Sequence, residues 1–234
     1  MRQIAIDTET TGLEPEKGHR IIEIGCIELI DRKITGTTFH RYLNPQREID
    51  DEALAVHKIT KDFLLDKPIF SDILADFLEF INGAEIIAHN APFDVGFINY
   101  EINLVNRNNK KLDHYVKVID TLVLARKKFP GQRNTLDAIC KRYQLDLNER
   151  KLKGHGALLD AELLARAYLL MTGGQSNLFG ELESELEERT ENSHKKIAKQ
   201  PTTIIKASQT ELNEHQVLLE KIAKQSKQSI WNQK

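Results

Sequence analysis

The sequence predicts an α/β fold in which helices flank a mixed β-sheet, with a polar C-terminal tail after it. Residues 2–7, 21–30 and 36–43 have the composition of strands, and a short segment with glycine and proline separates the first two. That segment is too short for a crossover helix, so it favours a hairpin. Further along, helix-periodic segments alternate with strand-like runs. Antiparallel strands followed by this alternation are typical of a mixed sheet.

The later elements follow from the period of the apolar residues and from capping residues. Residues 69–82 have a helical period, and the apolar run 85–89 predicts a strand that leads into a helix from about 92 to 106. The run VKVID ends at Asp120 and predicts another strand. Helices are then expected near residues 121–128, 134–143 and 156–171.

The composition changes near residue 174. Of the aromatic residues, only Phe179 and Trp231 lie beyond this point, and residues 180–192 are strongly acidic. Segments this polar bury too little apolar surface to offset their ordering entropy. The predicted parts are a folded domain over 1–174, a flexible linker over 175–209 and a partner-binding segment over 210–234. In the last part a short apolar stripe predicts a helix, which would be only marginally stable without a partner surface.

Composition also excludes several classes of protein. Cys26 and Cys140 lie far apart and outside any CxxC pattern, which excludes a disulfide framework and a zinc ribbon. No stretch approaches the roughly 18 apolar residues of a membrane span, so we expect a cytoplasmic protein with no membrane partner. The net charge of −2 lacks the basic excess of proteins that grip duplex DNA alone. If this chain handles nucleic acid, a partner holds the substrate or metal ions offset its carboxylates.

Acidic residues end the first predicted strand. Asp7 and Glu9 are two residues apart in DTETTG, so they share one face of the strand. Two neighbouring carboxylates on one face are unfavourable unless a cation binds them. The alternative is a polar turn in which Asp and Thr make local hydrogen bonds.

Two later segments carry further candidate residues. Asp94 lies in HNAPFD, near the start of a predicted helix, where a capping role is the alternative. Asp160 falls close to the apolar face of the helix in HGALLDA, where an unpaired carboxylate is unfavourable. His155 precedes it by five residues and, taken alone, is equally typical of a surface or capping histidine.

DTETTG, HNAPFD and HGALLDA, in this order, resemble the three motifs of the DEDD exonucleases of the histidine subclass. The resemblance covers residues 1–174 and implies an RNase H-like fold. The segment ERKLKG before His155 is a residue or two longer than the family pattern, which bears on how the histidine loop closes. The spacing from His155 to Asp160 keeps the family pattern.

The resemblance implies a two-metal mechanism. Asp7, Glu9 and Asp160 would be ligands of two Mg²⁺ or Mn²⁺ ions, with Asp94 completing the set. His155 would act as general base in 3′→5′ hydrolysis that releases nucleoside 5′-monophosphates. The implied substrate contacts are Asp7, Thr8, Glu9, Asp160 and the backbone of Thr8–Gly12. Glu52 and His57 would also contact the substrate, with a surface helix followed by a turn as the alternative for these two residues. Asp120 would support the metal ligands.

Other stretches, such as FHRYLNP, ARKKFPG and EHQVLLEKIAKQSKQSIW, are similar to the proofreading members of this family in bacterial replication. This implies a nucleoid-associated replisome protein that removes mispaired nucleotides from single-stranded 3′ DNA ends. The tail would bind the catalytic (alpha) subunit of the polymerase through Leu218, Leu219 and Trp231. The folded domain would bind a small theta-like accessory subunit.

Residues 175–179, QSNLF, resemble a peptide that docks on the sliding clamp, with Gln175, Leu178 and Phe179 as its contacts. This segment favours replication over the first alternative, an RNA-trimming 3′→5′ exonuclease of the same superfamily. The second alternative is a non-catalytic replisome adaptor. The intact set of acidic residues and histidine argues against a decayed site.

Overall fold

The computed structural model describes residues 1–106, 110–173 and 207–226. These residues belong to two compact units, one within Met1–Leu178 and the other within Phe179–Lys234. The predicted linker and the exact place of the boundary fall largely outside the described residues and stay predictions.

A five-stranded mixed sheet forms the centre of the first unit, with strand order β3-β2-β1-β4-β5. The first three strands are antiparallel neighbours, whereas β4 runs parallel to β1 and β5 runs parallel to β4. The predicted mixed sheet and its opening hairpin are confirmed. The strands are β1 (Arg2–Thr10), β2 (Ile21–Ile30), β3 (Lys33–Tyr42), β4 (Glu85–Ala88) and β5 (Lys117–Asp120).

Helices cover both faces of this sheet. Alternation along β1 sends Ile4 and Ile6 into one core and Ala5 into the other. Phe77 and Phe97 fill the first core, whereas the second is built largely from the last helix of the unit. The helices are α1 (Asp51–His57), α2 (Lys61–Leu64), α3 (Phe70–Ile81), α4 (Ala91–Val105), α5 (Thr121–Lys128), α6 (Leu136–Arg142), α7 (Asn148–Lys153) and α8 (Ala157–Gly173).

The structure differs from the prediction mainly at short helices. The sequence pattern predicts α1 only as an alternative and does not predict α2 or α7, which are only 4 and 6 residues long. Helices this short carry too few turns to establish a hydrophobic period. Strand β1 also extends beyond residue 7, so Asp7 and Glu9 both belong to the strand.

The described part of the second unit is one helix, α9 (Gln209–Ser226), close to the predicted tail helix. Its apolar residues Leu212, Val217 and Leu218 are exposed. Among residues 1–106, 110–173 and 207–226, no helix combines the length and apolarity that crossing a membrane requires.

Candidate active site and metal centre

Three chain segments bring the predicted carboxylates to one cleft. Asp7 and Glu9 lie near the end of β1, while Asp94 and Asp160 lie in the first turns of α4 and α8. Strand β1 pairs in parallel with β4, and α4 begins shortly after β4 ends. The end of β1 therefore meets the start of α4. All four carboxylates and His155 line a cleft of about 810 Å³.

Burial and mutual repulsion disfavour ionisation of the carboxylates in this cleft. Burial, and then the charges of Asp160 and Glu23, raise the pKa of Glu9 to about 8. Burial and the neighbouring carboxylates also hold the pKa of Asp7 well above its usual range. Burial raises the pKa of Asp94 to about 7, although Thr8 Oγ1 donates a 2.7 Å hydrogen bond to its Oδ1. The cleft is therefore a candidate site for cations.

Arg150, on α7, places its guanidinium among these groups. Its Nε donates to Asp160 Oδ1 at 2.6 Å, and its Nη2 donates to Oδ2 at 2.8 Å. Its Nη1 pairs with Asp137. Five residues of the segment ERKLKG belong to this helix, which spans Asn148–Lys153. Sequence reasoning missed Arg150, although the expectation that the segment before His155 affects the histidine loop was a signal near it.

The donor atoms present fit a divalent cation. Glu9, His155 and Asp160 each offer one ligand atom, and these atoms lie within 4.8 Å of one another. Carboxylate oxygens are the ligands that Mg²⁺ and Mn²⁺ prefer. Asp7 and Asp94 lie in the same cleft and supply further oxygens. The cluster is thus a candidate acidic metal site.

His155 lies just before α8, in a loop that is tied to α1. Its backbone N–H donates to the carbonyl of Val56 at 3.2 Å, and its side chain is 40% exposed. Burial and the charge of Arg150 lower the pKa of the imidazole, so the ring is neutral near pH 7. Arg150 Nη2 lies 3.1 Å from Nδ1. Because a guanidinium only donates, Nδ1 accepts this bond and the ring proton sits on Nε2.

Strand β2 positions the start of α8. The buried carboxylate of Glu23 accepts from the backbone N–H of Ala157 at 3.0 Å and from His40 Nε2 at 2.7 Å. Gly25 lies two residues further along β2, and a Cβ added there would lie 2.2 Å from the backbone of Ala157. Only a residue without a Cβ therefore allows α8 to approach the strand this closely. Sequence reasoning missed both residues, although a charged residue inside the apolar run IIEIGCIELI was a signal for Glu23.

A second cavity of about 500 Å³ adjoins the cleft and shares Thr8, Glu9 and Phe93 with it. The predicted substrate contacts Glu52 and His57 both line this second cavity. His57 is buried at the end of α1, where its Nδ1 accepts from the N–H of Ile59 at 3.0 Å.

Asp120 caps α5. Its Oδ1 accepts from the N–H of Leu122 at 2.8 Å and from the N–H of Asn90 at 3.2 Å. Asn90 has a φ of 67° and precedes the helix that carries Asp94. Asp120 therefore stabilises the turn before α4, next to the site, through its hydrogen bond with Asn90.

The predicted tail contacts are only partly described. Leu218 is exposed and Leu219 is half-buried on α9. The predicted polymerase contact Trp231 and the predicted clamp contacts Gln175, Leu178 and Phe179 lie outside the described residues and stay predictions.

Comparisons with known proteins decide the family. The family model described as "RNase_T: Exonuclease" matches residues 4–168. A "DNA polymerase III subunit epsilon" of Salmonella typhimurium is 46% identical over 237 residues, which is 98% of this chain and 97% of the relative. The chain belongs to the exonuclease family, among the DNA polymerase III epsilon subunits. The relative of that name from Haemophilus influenzae is 54% identical over 187 residues, 78% of this chain and 72% of the relative.

Solved structures agree with this family. "Exonuclease X in complex with 5' overhanging duplex DNA" is 28% identical, with a TM-score of 0.58 over 75% of this chain and 93% of that chain. "E. coli Exonuclease I in complex with a dT13 oligonucleotide" is 17% identical with a TM-score of 0.62 and covers 77% of this chain and 43% of that one, which shows the fold alone. The predicted fold and the predicted epsilon-type 3′→5′ proofreading exonuclease are confirmed.

Proposed function

We propose that this exonuclease removes mispaired 3′-terminal nucleotides from DNA and releases nucleoside 5′-monophosphates. Asp7, Glu9, Asp94, His155 and Asp160, which come from three separate segments, line one cleft. A carboxylate cluster beside a neutral histidine suits metal-assisted hydrolysis of a phosphodiester.

Asp7, Glu9 and Asp160 would hold two Mg²⁺ or Mn²⁺ ions, with Asp94 completing the set. When bound, these ions would neutralise the carboxylates and favour both attack on the phosphate and departure of the 3′ oxygen. Thr8 would orient Asp94 through the 2.7 Å hydrogen bond between their side chains. The raised pKa values of Glu9 and Asp94 support a site built for cations.

His155 would accept the proton of the attacking water. Its lowered pKa supports this role because a general base must be unprotonated at neutral pH. The backbone contact with Val56 ties the histidine loop to α1, which lines the second cavity. This contact would hold the general base next to the cavity that takes the terminal nucleotide.

The second cavity would hold the terminal nucleotide, with Glu52 and His57 at its wall. It adjoins the carboxylates through Thr8 and Glu9, so the scissile phosphate would lie where the two cavities meet. A mispaired terminus unpairs at lower cost, so a site that takes single strands encounters it more often. Such a site requires no readout of base identity.

Partner binding would supply the grip on DNA that the net charge of −2 does not. The exposed Leu218 on α9 supports docking of the tail on the catalytic (alpha) subunit of a replicative polymerase in the cytoplasm. The sliding clamp and a small theta-like subunit are the other partners that we propose.

The activity test compares three substrates with the full chain, first with Mn²⁺ and then with EDTA. The substrates are a primer with a mispaired 3′ end on its template, the matched primer–template and RNA of the primer sequence. We expect the fastest cleavage of the mispaired DNA primer and none with EDTA. Faster cleavage of the RNA would favour the RNA-trimming alternative, and no cleavage of any substrate would favour the adaptor.

The partner test is co-elution with the polymerase catalytic subunit on gel filtration. Replacing Leu218 and Leu219 with Ser should abolish co-elution while cleavage of free single-stranded DNA continues. Glu214→Ser on the same exposed helix is the matched control. Co-elution of the double variant with the polymerase would contradict the proposed docking.

A further inference from the structure

The lining of the cleft combines two chemically different groups of residues. One group, the acidic end, holds the carboxylates and His155. The other group, the donor end, offers hydrogen-bond donors and includes Asn90 before α4, Arg126 on α5 and Gln132 in the loop after α5. The proposed catalytic steps use the acidic end and leave the donor end free for a different task.

Arg126 is the charged group at the donor end. It lies in the last turn of α5 and is exposed. Within the part of the chain that the structure describes, its guanidinium makes no hydrogen bond or ion pair. An unpaired guanidinium in a cleft offers several N–H donors in a plane that matches a phosphate.

The other residues of the donor end leave space and donors for a ligand. Gln132 Oε1 accepts from Arg142 Nη2 at 2.9 Å. The Nε2 amino group of Gln132 is therefore the part of the side chain that can donate to a ligand. The loop passes through Gly131, which has a φ of 72° and no atom within 4 Å of the position of a Cβ. Asn90, in the turn that Asp120 holds, is exposed and lines the same cleft.

The position of the second cavity sets the direction of a bound strand. That cavity meets the carboxylates at Thr8 and Glu9 but does not include Arg126. With the terminal nucleotide in the second cavity and the scissile phosphate at the carboxylates, the chain on the 5′ side continues toward the donor end. This step rests on the proposed function.

We propose that Arg126, assisted by Asn90 and Gln132, binds the backbone phosphate of the nucleotide on the 5′ side of the scissile bond. The ligand is a single-stranded polynucleotide backbone rather than a base. The site offsets the repulsion between DNA and the acidic end of the cleft, because it places a cation next to the first phosphate that the metal site does not neutralise.

The test compares substrates with and without a nucleotide on the 5′ side. The nitrophenyl ester of thymidine 5′-monophosphate has a nitrophenyl group in place of that nucleotide, whereas a thymidine decamer supplies it. The measurement is kcat/KM for both substrates with Mn²⁺, using the full chain and its variant Arg126→Ala. The matched control is Lys127→Ala, because Lys127 is the next residue of α5, is exposed and does not line the cleft.

In Arg126→Ala we expect the ratio of decamer to ester kcat/KM to fall about tenfold, the scale of one charge-assisted hydrogen bond. The slope of log kcat/KM against log salt for the decamer should become shallower by about 0.7, the value for one phosphate contact on a single strand. Arg126→Lys should recover part of both changes, and Lys127→Ala should leave the ratio as in wild type.

The contrary outcomes are distinguishable. An unchanged ratio in Arg126→Ala, or an equal fall in Lys127→Ala, would overturn the phosphate site while leaving the proposed function intact. An equal loss on both substrates would overturn it as well, because Arg126 would then act at the metal centre. A wild-type chain that hydrolyses neither substrate would instead contradict the proposed function.

Discussion

Arg150 binds Asp160 through both carboxylate oxygens, with Nε 2.6 Å from Oδ1 and Nη2 2.8 Å from Oδ2. The side chains of this pair are 10% and 3% exposed. The same guanidinium donates to His155 Nδ1. Arg150 therefore holds a predicted metal ligand and the predicted base in one arrangement, with the ring proton of His155 on Nε2. Metal binding at Asp160 and this ion pair compete for the same oxygens.

The first prediction concerns this competition. Arg150→Ala should bind Mn²⁺ more tightly than wild type, because no internal cation then occupies Asp160. Without metal the variant should unfold at a lower temperature, since removing one partner of a buried pair costs about 3–5 kcal/mol. Electron paramagnetic resonance titration measures the affinity, and calorimetry in EDTA measures the stability. Arg166→Ala is the control because Arg166 pairs with Glu162 on an exposed face. Equal Mn²⁺ affinity in wild type and Arg150→Ala would contradict the prediction.

The second prediction compares Asp7 with Asp160, of which Asp160 forms the ion pair with Arg150. Both Asp7→Asn and Asp160→Asn should slow Mn²⁺-dependent cleavage by more than about 100-fold, the upper scale for groups that only support metal ligands. In EDTA, Asp7→Asn should raise the unfolding temperature because it removes one of several repelling charges. Asp160→Asn should lower it because it weakens the pair with Arg150. The same direction of change in both variants would show that Arg150 does not distinguish the two sites.

The third prediction assigns the base. His155→Ala should slow cleavage at pH 7 by about 10²–10⁴, the usual effect of losing a general base. In wild type the rate should fall with decreasing pH only below 6.5, because burial and Arg150 lower the pKa of His155 from that value. The variant should lose this acidic limb. His114→Ala is the control, since His114 is exposed and lies outside the cleft. An unaltered pH–rate profile in His155→Ala would exclude His155 as the base.

The fourth prediction is the pH dependence of stability without metal. The pKa of Glu9 is raised from 4.5 to about 8 in the folded protein. Between these values the folded chain binds more protons than the unfolded chain, so the free energy of unfolding decreases as pH rises toward 8. Calorimetry in EDTA from pH 5 to 9 should show this decrease, and Glu9→Gln should reduce it. Saturating Mn²⁺ should oppose it by binding the ionised folded state. A stability that increases over this range would refute the expectation.

The fifth prediction tests the contact between β2 and α8. In Gly25→Ala the new Cβ would lie 2.2 Å from backbone atoms of Ala157 and Leu158, so α8 must move away from the sheet. We expect a loss of stability of several kcal/mol, as for overpacking that shifts backbone, and a loss of activity through displaced His155 and Asp160. Gly96→Ala in α4 is the control, since its Cβ would meet nothing within 4 Å. Its helix should gain up to about 1 kcal/mol. Wild-type stability of Gly25→Ala would contradict the close approach.

The sequence by itself determined the strands and the longer helices, in their order, and the candidate residues of the cleft. The two-residue spacing of Asp7 and Glu9 placed them on one strand face, and the apolar period around Asp160 indicated a buried carboxylate. These inferences agree with the structure because they depend on local spacing along one strand or one helix. The family resemblance of the three motifs then indicated that they form one site.

Only the tertiary structure decided how that site is held and balanced. Glu23 caps α8 across 134 residues of sequence, and Gly25 allows the helix to touch the sheet. Arg150 reaches Asp160 because a short, non-periodic segment folds as α7 and turns its guanidinium into the cleft. Contacts of this kind depend on the packing of distant segments, and local hydrophobic period contains no information about which charged side chain meets which.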